Sequence, residues 1–405
     1  MLRTFSIFTR LFSLGAVIMM MTASCSKNLQ KVQPQPLSVD KAMVGKGLTL
    51  SGTTFDSLIA YKNSPHQLMM GYYRTWGDYV TDPVNYHTRM TDLPDSLDIV
   101  SVFTDYTPPT NPYWDTLKLV YIPYLHARGT KVVYTGGYFA GASTNPTGLA
   151  NWVSGIVSMI NTYNYDGYDI DIESTATGAT LQDQIACFQA LSQYLGPLSG
   201  TGKLLIYDTN QNGNALMSGI KNMVSYVFLQ AYWRSVTSLQ GTFNTYTSYI
   251  APSKFLVGVS YEDGTGYQAG QMPAYAAWQP TQGTKGGVFA YGIDMEGPNS
   301  GRNYVTTRAA IQTMNPAAVY FYQNTGYGGT MSLPLAKGTY TTAQLAAAGV
   351  PDNWASSVKI PVGWTVIMYD NNNFTGTSWT LTASNSLFTS LSPSANDKMS
   401  SVKIQ

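Results

Sequence analysis

Charge is scarce in this chain of 405 residues: Asp, Glu, Lys and Arg make up 11% of it, and 23 Lys+Arg against 22 Asp+Glu leave a formal net charge of +1. No basic stripe exists that could neutralise a row of phosphates, which excludes nucleic acid as a partner. Cysteine is rarer still, and two residues, Cys25 and Cys187, cannot staple a chain this long. The three histidines, His66, His87 and His126, form no metal-binding motif. Disorder is excluded by the 44% of hydrophobic residues. The length suggests two or three domains of roughly 100 to 200 residues. What is plentiful is Tyr (30), Gly (37) and Trp (8), a balance suited to a secreted protein that meets flat, uncharged ligands such as sugars.

Arg3 and Arg10 precede or flank an apolar run from Leu11 to Met21, and the small residues Ala23 and Ser24 lie directly before Cys25. A charged start, a short apolar stretch and a small-residue end read as a secretory signal peptide over residues 1–24, too short to span a membrane. The small residues before a cysteine resemble the lipobox of bacterial lipoproteins, with Thr22 where Leu is more usual. That resemblance implies lipidation of Cys25 and a place in a bacterial envelope, at the outer membrane or cell surface. Ordinary secretion with a free thiol at Cys25 is the alternative. Cys187 falls inside a helical pattern and reads as a small buried hydrophobe. Residues 25–66 then form the lipidated N-terminus and linker, polar from Ser26 to about Lys46 and tether-like.

From Gln67 onward short apolar runs alternate with longer periodic ones. Strands are predicted at 67–76, 98–106, 131–139, 168–173, 203–209, 225–233, 254–262 and 286–295. Between them, Leu149, Trp152, Val153, Ile156 and Ile160 recur at the three-and-four spacing of one apolar helix face, and further helices are predicted at 181–196 and 300–315. Eight strands interleaved with helices predict an α/β fold, a (β/α)₈ TIM barrel over 67–315, in which chemistry collects at the carboxyl ends of the strands. A different grammar begins near Ala318. Residues Val319 to Thr330 align with Val366 to Thr377, and each copy ends in Ser-Ser-Val-Lys-Ile, at Ser356–Ile360 and Ser400–Ile404. Two copies of a short β unit, neither able to bury a core alone, must pack as a pair, giving a small all-β domain over 318–405.

The most informative run is Asp166-Gly167-Tyr168-Asp169-Ile170-Asp171-Ile172-Glu173. On a strand, Asp169, Asp171 and Glu173 share one face and Tyr168, Ile170 and Ile172 the other. Barrel strands are covered by helices outside, so the acids must point inward. Stacked there they cannot all be ionised, and one protonated carboxyl near neutrality supplies a general acid. The spacing lacks the glycine turn and distal Glu of an EF-hand calcium loop. At every fixed position the run resembles the Asp-Gly-x-Asp-x-Asp-x-Glu signature of family 18 glycoside hydrolases. Gly71-Tyr72-Tyr73 on the first strand, Gly136-Gly137 after the third and Gln230-Ala231-Tyr232-Trp233 on the sixth agree with that family, with Tyr134 standing where Ser is commoner.

The resemblance implies retaining hydrolysis assisted by the substrate's own 2-acetamido group, with no cofactor. Glu173 is then the proton donor, Asp171 the stabiliser of the oxazolinium, and Asp169 its proton-sharing partner. Tyr232 and Gln230 complete the catalytic set, while Tyr72, Trp233 and Tyr291 bind substrate. Gln-x-Tyr on the sixth strand and Tyr291 on the eighth look like the endo-β-N-acetylglucosaminidase branch, which cuts the GlcNAc-GlcNAc core of N-glycans, rather than the chitinase branch. Chitinase activity and a barrel that binds glycans without cleaving them are the alternatives, although binding-only relatives typically lose the Glu.

The paired repeats resemble the two Greek keys of a βγ-crystallin domain. That likeness implies a calcium signature in each, at Asp352-Asn353-Trp354-Ala355-Ser356-Ser357 and at Asn396-Asp397-Lys398-Met399-Ser400-Ser401. The metal ligands expected from it are Asp352, Asn353, Ser356, Asn396, Asp397 and Ser400, an oxygen-rich set suited to a hard cation. The expected partners are N-glycans or glycoproteins and a membrane reached through the lipid anchor, for a monomeric protein.

Overall fold

All eight runs read as strands form strands in the computed structural model, which describes residues 55–262 and 270–405, and each is shorter than its run. They are β1 (Leu68–Arg74), β2 (Ile99–Phe103), β3 (Lys131–Gly136), β4 (Gly167–Asp171), β5 (Leu204–Thr209), β6 (Tyr226–Gln230), β7 (Phe255–Ser260) and β8 (Gly287–Tyr291). They pair in parallel in chain order, and β8 closes on β1. The signal peptide, Cys25 and the tether lie outside the described residues.

Period-two alternation sorts each strand into two faces. Met70, Ile99, Val133, Leu204, Ile206, Phe228, Leu256 and Phe289 fill the barrel interior. Their neighbours Met69, Val100, Val132, Ile170, Leu205, Val227, Val257 and Val288 lie under the helices. Gly258 makes room for Phe289, since a Cβ there would overlap the ring.

The helix Pro146–Tyr163 starts where the Asn145 side chain accepts from Gly148 N at 2.8 Å and stops at Asn164, whose φ of 60° is left-handed. It buries Val153, Ile156 and Ile160, with Leu149 and Trp152 packed beside them, the face that the spacing predicted. The helices predicted at 181–196 and 300–315 run instead over Gly178–Leu191 and Val305–Met314.

One strand boundary carries chemical consequence. The run predicted at 168–173 stops at Asp171, with a single further ladder bond from Ile172 N to Asp208 O at 3.0 Å. Glu173 therefore leaves the sheet and stands in the loop above it.

The C-terminal module holds a four-stranded antiparallel sheet of β10 (Gly338–Tyr340), β14 (Ser401–Ile404), β12 (Val366–Asn371) and β13 (Thr375–Leu381), and a pair formed by β9 (Tyr320–Tyr322) and β11 (Ser357–Lys359). The sequence repeat is also a repeat of contacts. Ser357 Oγ donates to Asn324 O at 2.7 Å and accepts from Tyr327 N at 3.2 Å, while Ser401 Oγ donates to Asn371 O at 2.7 Å and accepts from Phe374 N at 3.0 Å. Lys359 lies 5.1 Å from the Tyr327 ring and Lys403 5.2 Å from that of Phe374. One core, including Val319, Phe321, Val358, Val366, Met368 and Trp379, serves both repeats, as two units too small to stand alone require. A cleft of about 280 Å³ between this module and the amino end of the barrel is lined by Gln67, Lys285 and Lys359, remote from the strand ends that carry the acids.

Candidate active site

Three acids drawn from two strands meet at the carboxyl end of the barrel, Asp169 and Asp208 buried and Asp171 half-buried. Asp169, fully buried on β4, accepts through Oδ2 from Tyr72 Oη at 2.7 Å and Thr135 Oγ1 at 3.0 Å, and Thr135 in turn shares a short hydrogen bond with Ser101. Burial pushes its carboxyl up to about 7 against those two hydrogen bonds. Asp171, one step nearer the mouth, accepts through Oδ1 from Gln230 Nε2 at 3.2 Å. Burial, followed by the charges of Glu173 and Asp169, pushes it up to about 8. Asp208 is the register partner of Asp171 on β5 and accepts from the same Gln230 Nε2 at 2.9 Å. Burial, then Asp171 and Asp169, holds it well above the usual carboxylate range.

No cation hydrogen-bonds any of the three among the described residues. Arg74 on β1 is engaged by Asp294 at 2.7 Å and Glu262 at 2.8 Å. A cluster of this kind cannot carry three negative charges, and it holds protons at neutral pH.

Glu173 stands exposed above the cluster. The loop after β5 fixes it: Asn210 Nδ2 donates to Glu173 Oε2 at 3.1 Å and Gln211 Nε2 to its backbone oxygen at 2.8 Å. Tyr246 Oη holds that loop through Gln211 O at 2.6 Å. The loop after β6 is tied to the same place, since Arg234 donates to Asn210 O at 2.6 Å, and Tyr275 Oη spans Ala231 O at 2.7 Å and Arg234 O at 2.8 Å. That bracing holds Trp233 at a left-handed φ of 58° with 68% of its surface exposed.

Aromatic rings continue around the mouth. Tyr232 lies 6.2 Å from Tyr291 between ring centroids, Tyr291 5.4 Å from Phe103, Phe103 6.0 Å from Trp76, and Trp76 5.0 Å from Tyr106. An ionisable carboxyl in reach of water, a proton-holding pair beneath it and an apolar ring-lined rim can perform acid–base chemistry on a sugar.

The family model of the endo-β-N-acetylglucosaminidase EndoS TIM-barrel domain matches residues 71–290. Endo-β-N-acetylglucosaminidase F2 of Elizabethkingia meningoseptica is 44% identical over 329 residues, 74% of this chain and 96% of that relative. The chain belongs to the endo-β-N-acetylglucosaminidase family. Among solved structures, the apo endo-β-N-acetylglucosaminidase of Cordyceps militaris is 37% identical and covers 66% of this chain and 98% of its own, with a TM-score of 0.60. A βγ-crystallin domain from Clostridium beijerinckii, 48% identical, covers 22% of this chain and 95% of its own with a TM-score of 0.20.

Within this endo-β-N-acetylglucosaminidase barrel, Asp169, Asp171, Gln230, Tyr232 and Tyr291 come together at one mouth with Glu173 over them. Tyr72 differs from its expectation as a substrate contact: it is 1% exposed and its hydroxyl is given to Asp169, because its position on β1 points below the rim. Asp208, Thr135, Asn210 and Gln211 were not anticipated. A signal for Asp208 existed in the alternation Leu204, Ile206, Asp208, which runs up the interior face of β5 and ends on an acid. Asn210 and Gln211 gave no signal, since their reach to Glu173 depends on how two loops meet.

In the C-terminal module the two expected metal loops are crossed rather than separate. Ser400 Oγ donates to Asp352 Oδ1 at 2.6 Å and Ser356 Oγ to Asp397 Oδ1 at 3.1 Å, so each serine faces the acid of the other repeat. Asn353 and Asp397 take matching left-handed φ values of 54° and 52°. Asn396 Oδ1 is buried without a hydrogen-bond partner among the described residues.

Proposed function

We propose that this glycoside hydrolase cleaves the GlcNAc-β1,4-GlcNAc core of N-glycans by a substrate-assisted, retaining mechanism. The observation that carries the reading is the exposed Glu173 poised over the half-buried Asp171 and the buried Asp169 inside a barrel of this family. Glu173 gives its proton to the glycosidic oxygen as the C1–O bond breaks, and the acetamido oxygen closes on C1 to form the oxazolinium. Asp171 accepts the amide N–H and stabilises the positive charge. Glu173, now a carboxylate, takes a proton from water as the water's oxygen attacks C1, which restores the acetamido group and retains configuration. Tyr232 holds the acetamido oxygen, and Trp233, Tyr291, Phe103 and Trp76 offer faces to the sugar rings. A doubly substituted variant of the Cordyceps enzyme binds fucosyl-N-acetylglucosamine-Asn, a glycosylated asparagine, which supports the same substrate class here.

The test is digestion of an N-glycoprotein. The wild type should leave one GlcNAc on asparagine and Glu173→Gln should release about a thousandfold less. Comparable release by both, a bare asparagine, or hydrolysis confined to chitin oligomers would sink the reading.

The crossed loops of the C-terminal module fit Ca²⁺. Their donors are all oxygen, two are carboxylates, and Asn396 Oδ1 has no hydrogen-bond partner among the described residues. Asp352, Asn353, Ser356, Asn396, Asp397 and Ser400 would hold two ions, and the ions would support the module without entering hydrolysis. Lipidation of Cys25 would place the enzyme at a bacterial outer membrane or cell surface, where glycoproteins are met.

A further inference from the structure

Asp208 has no part in the reaction as written above, yet it is buried beside Asp171, the group that stabilises the developing charge. Its Oδ2 and Asp171 Oδ1 share the two hydrogens of one amide, Gln230 Nε2, at 2.9 and 3.2 Å. Its other oxygen, Oδ1, is buried with no hydrogen-bond partner among the described residues, and so is Asp169 Oδ1. These orphaned oxygens belong to the two acids that flank Asp171, one along β4 and one across to β5. A bare carboxylate oxygen in such a place is strongly disfavoured, whereas the neutral carboxylic acid escapes both the desolvation cost and the repulsion of the neighbouring Asp171 charge.

We propose that Asp208 is a positioning residue for the hydrolysis: it keeps its proton across the working range and clamps the Gln230 amide with both N–H bonds turned to the acids. Gln230 Oε1 is then the edge left to accept from a substrate hydroxyl or N–H, and the cluster's negative charge settles on Asp171, where the oxazolinium needs it. The titratable groups facing Asp208 are Asp171 and Asp169 from β4, Tyr72 from β1, Tyr232 after β6, Tyr207 beside it on β5 and Tyr246 behind, and none is a cation. Removing a negative charge from beside Asp171 would ease its ionisation, whereas replacing a neutral carboxyl leaves that ionisation nearly unchanged.

The inference rests on the N-glycan reading for its kinetic assay only. Activity requires Asp171 ionised, so Asp208→Asn, neutral and isosteric, should keep the acid limb of kcat against pH within about 0.3 units of wild type, with kcat within about fivefold. An acid limb displaced downward by about one unit or more would mean that a charge had been removed, and would overturn the proposal. Asp208→Leu cannot hold the amide and should lower kcat about a hundredfold while KM moves less than about threefold. Gln230→Leu should lose a similar factor and the double variant little more; full additivity would count against action through Gln230. If Asp208→Leu fails to fold, infrared difference spectra of wild type against Asp208→Asn at pH 7 still decide the matter. Loss of a protonated-carboxyl C=O stretch is expected, and loss of carboxylate bands refutes. A wild type that cleaves no N-glycan would refute the functional reading, while the infrared result would stand independently.

Discussion

Replacing Asp169 by Asn should make the protein more stable at neutral and alkaline pH and no more stable in acid. In the unfolded chain this aspartate releases its proton near its ordinary value of 3.8, whereas in the fold it keeps the proton to about 7. Between those values the native state binds more protons than the unfolded state, so the native state loses stability as pH rises. The full contribution is present below about pH 3.8, declines across the window and is gone once pH has passed the folded value. Roughly three units at about 1.4 kcal/mol each give about 4 kcal/mol.

Asp171 and Asp208 draw on the same protons, which lowers the expected gain for the single variant to about 2–4 kcal/mol at pH 8. Asn supplies an oxygen for Tyr72 Oη and Thr135 Oγ1, now at 2.7 and 3.0 Å, so the hydrogen bonds to Oδ2 survive. For a chain of this size the gain corresponds to a rise in Tm of about 3–6 °C. Scanning calorimetry of both proteins from pH 4 to 8.5 should show curves that converge in acid and diverge steadily towards pH 7. A difference independent of pH, or a variant less stable than wild type at pH 8, would refute the burial of an uncompensated acid at Asp169.

Trp233→Ala should raise KM for a glycoprotein about tenfold while changing kcat little, because an exposed ring contributes binding rather than proton transfer; a kcat loss matching that of Glu173→Gln would contradict this. Calorimetric titration should find two calcium ions with dissociation constants of about 10⁻⁴ to 10⁻³ M, weakened in Ser356→Ala and Ser400→Ala, and chelation should leave hydrolysis of a small substrate intact. Absence of binding at millimolar calcium, or activity lost to chelator and restored by calcium, would overturn that separation of roles. Cys25→Ala should move the protein from the membrane fraction to the soluble one, and identical fractionation of the two would dismiss the anchor.

The barrel was legible because its signal is local and periodic. Burial on both faces writes apolar runs at β1 to β8, and a helix facing a sheet writes Val153, Ile156 and Ile160 at helical spacing. The acids of β4 were legible for a similar reason, since period two puts Asp169 and Asp171 on one face whatever the rest of the chain does. The C-terminal repeat announced itself by identity at Ser356–Ile360 and Ser400–Ile404, and the contacts of Ser357 and Ser401 repeat with it.

What the sequence by itself determined is therefore the architecture, the strand that bears the acids and the family that uses them. Only the tertiary structure decided which groups share a proton and which face solvent. Asp208 lies 37 residues beyond Asp171 in the chain, and only the parallel register of β4 and β5 sets them side by side. Asn210 reaches Glu173, Arg234 reaches Asn210, and Ser356 and Ser400 of the C-terminal module each reach the acid of the opposite repeat. Such contacts leave no periodic trace because they depend on where separate segments end in space, and burial is what turns those meetings into shifted acids.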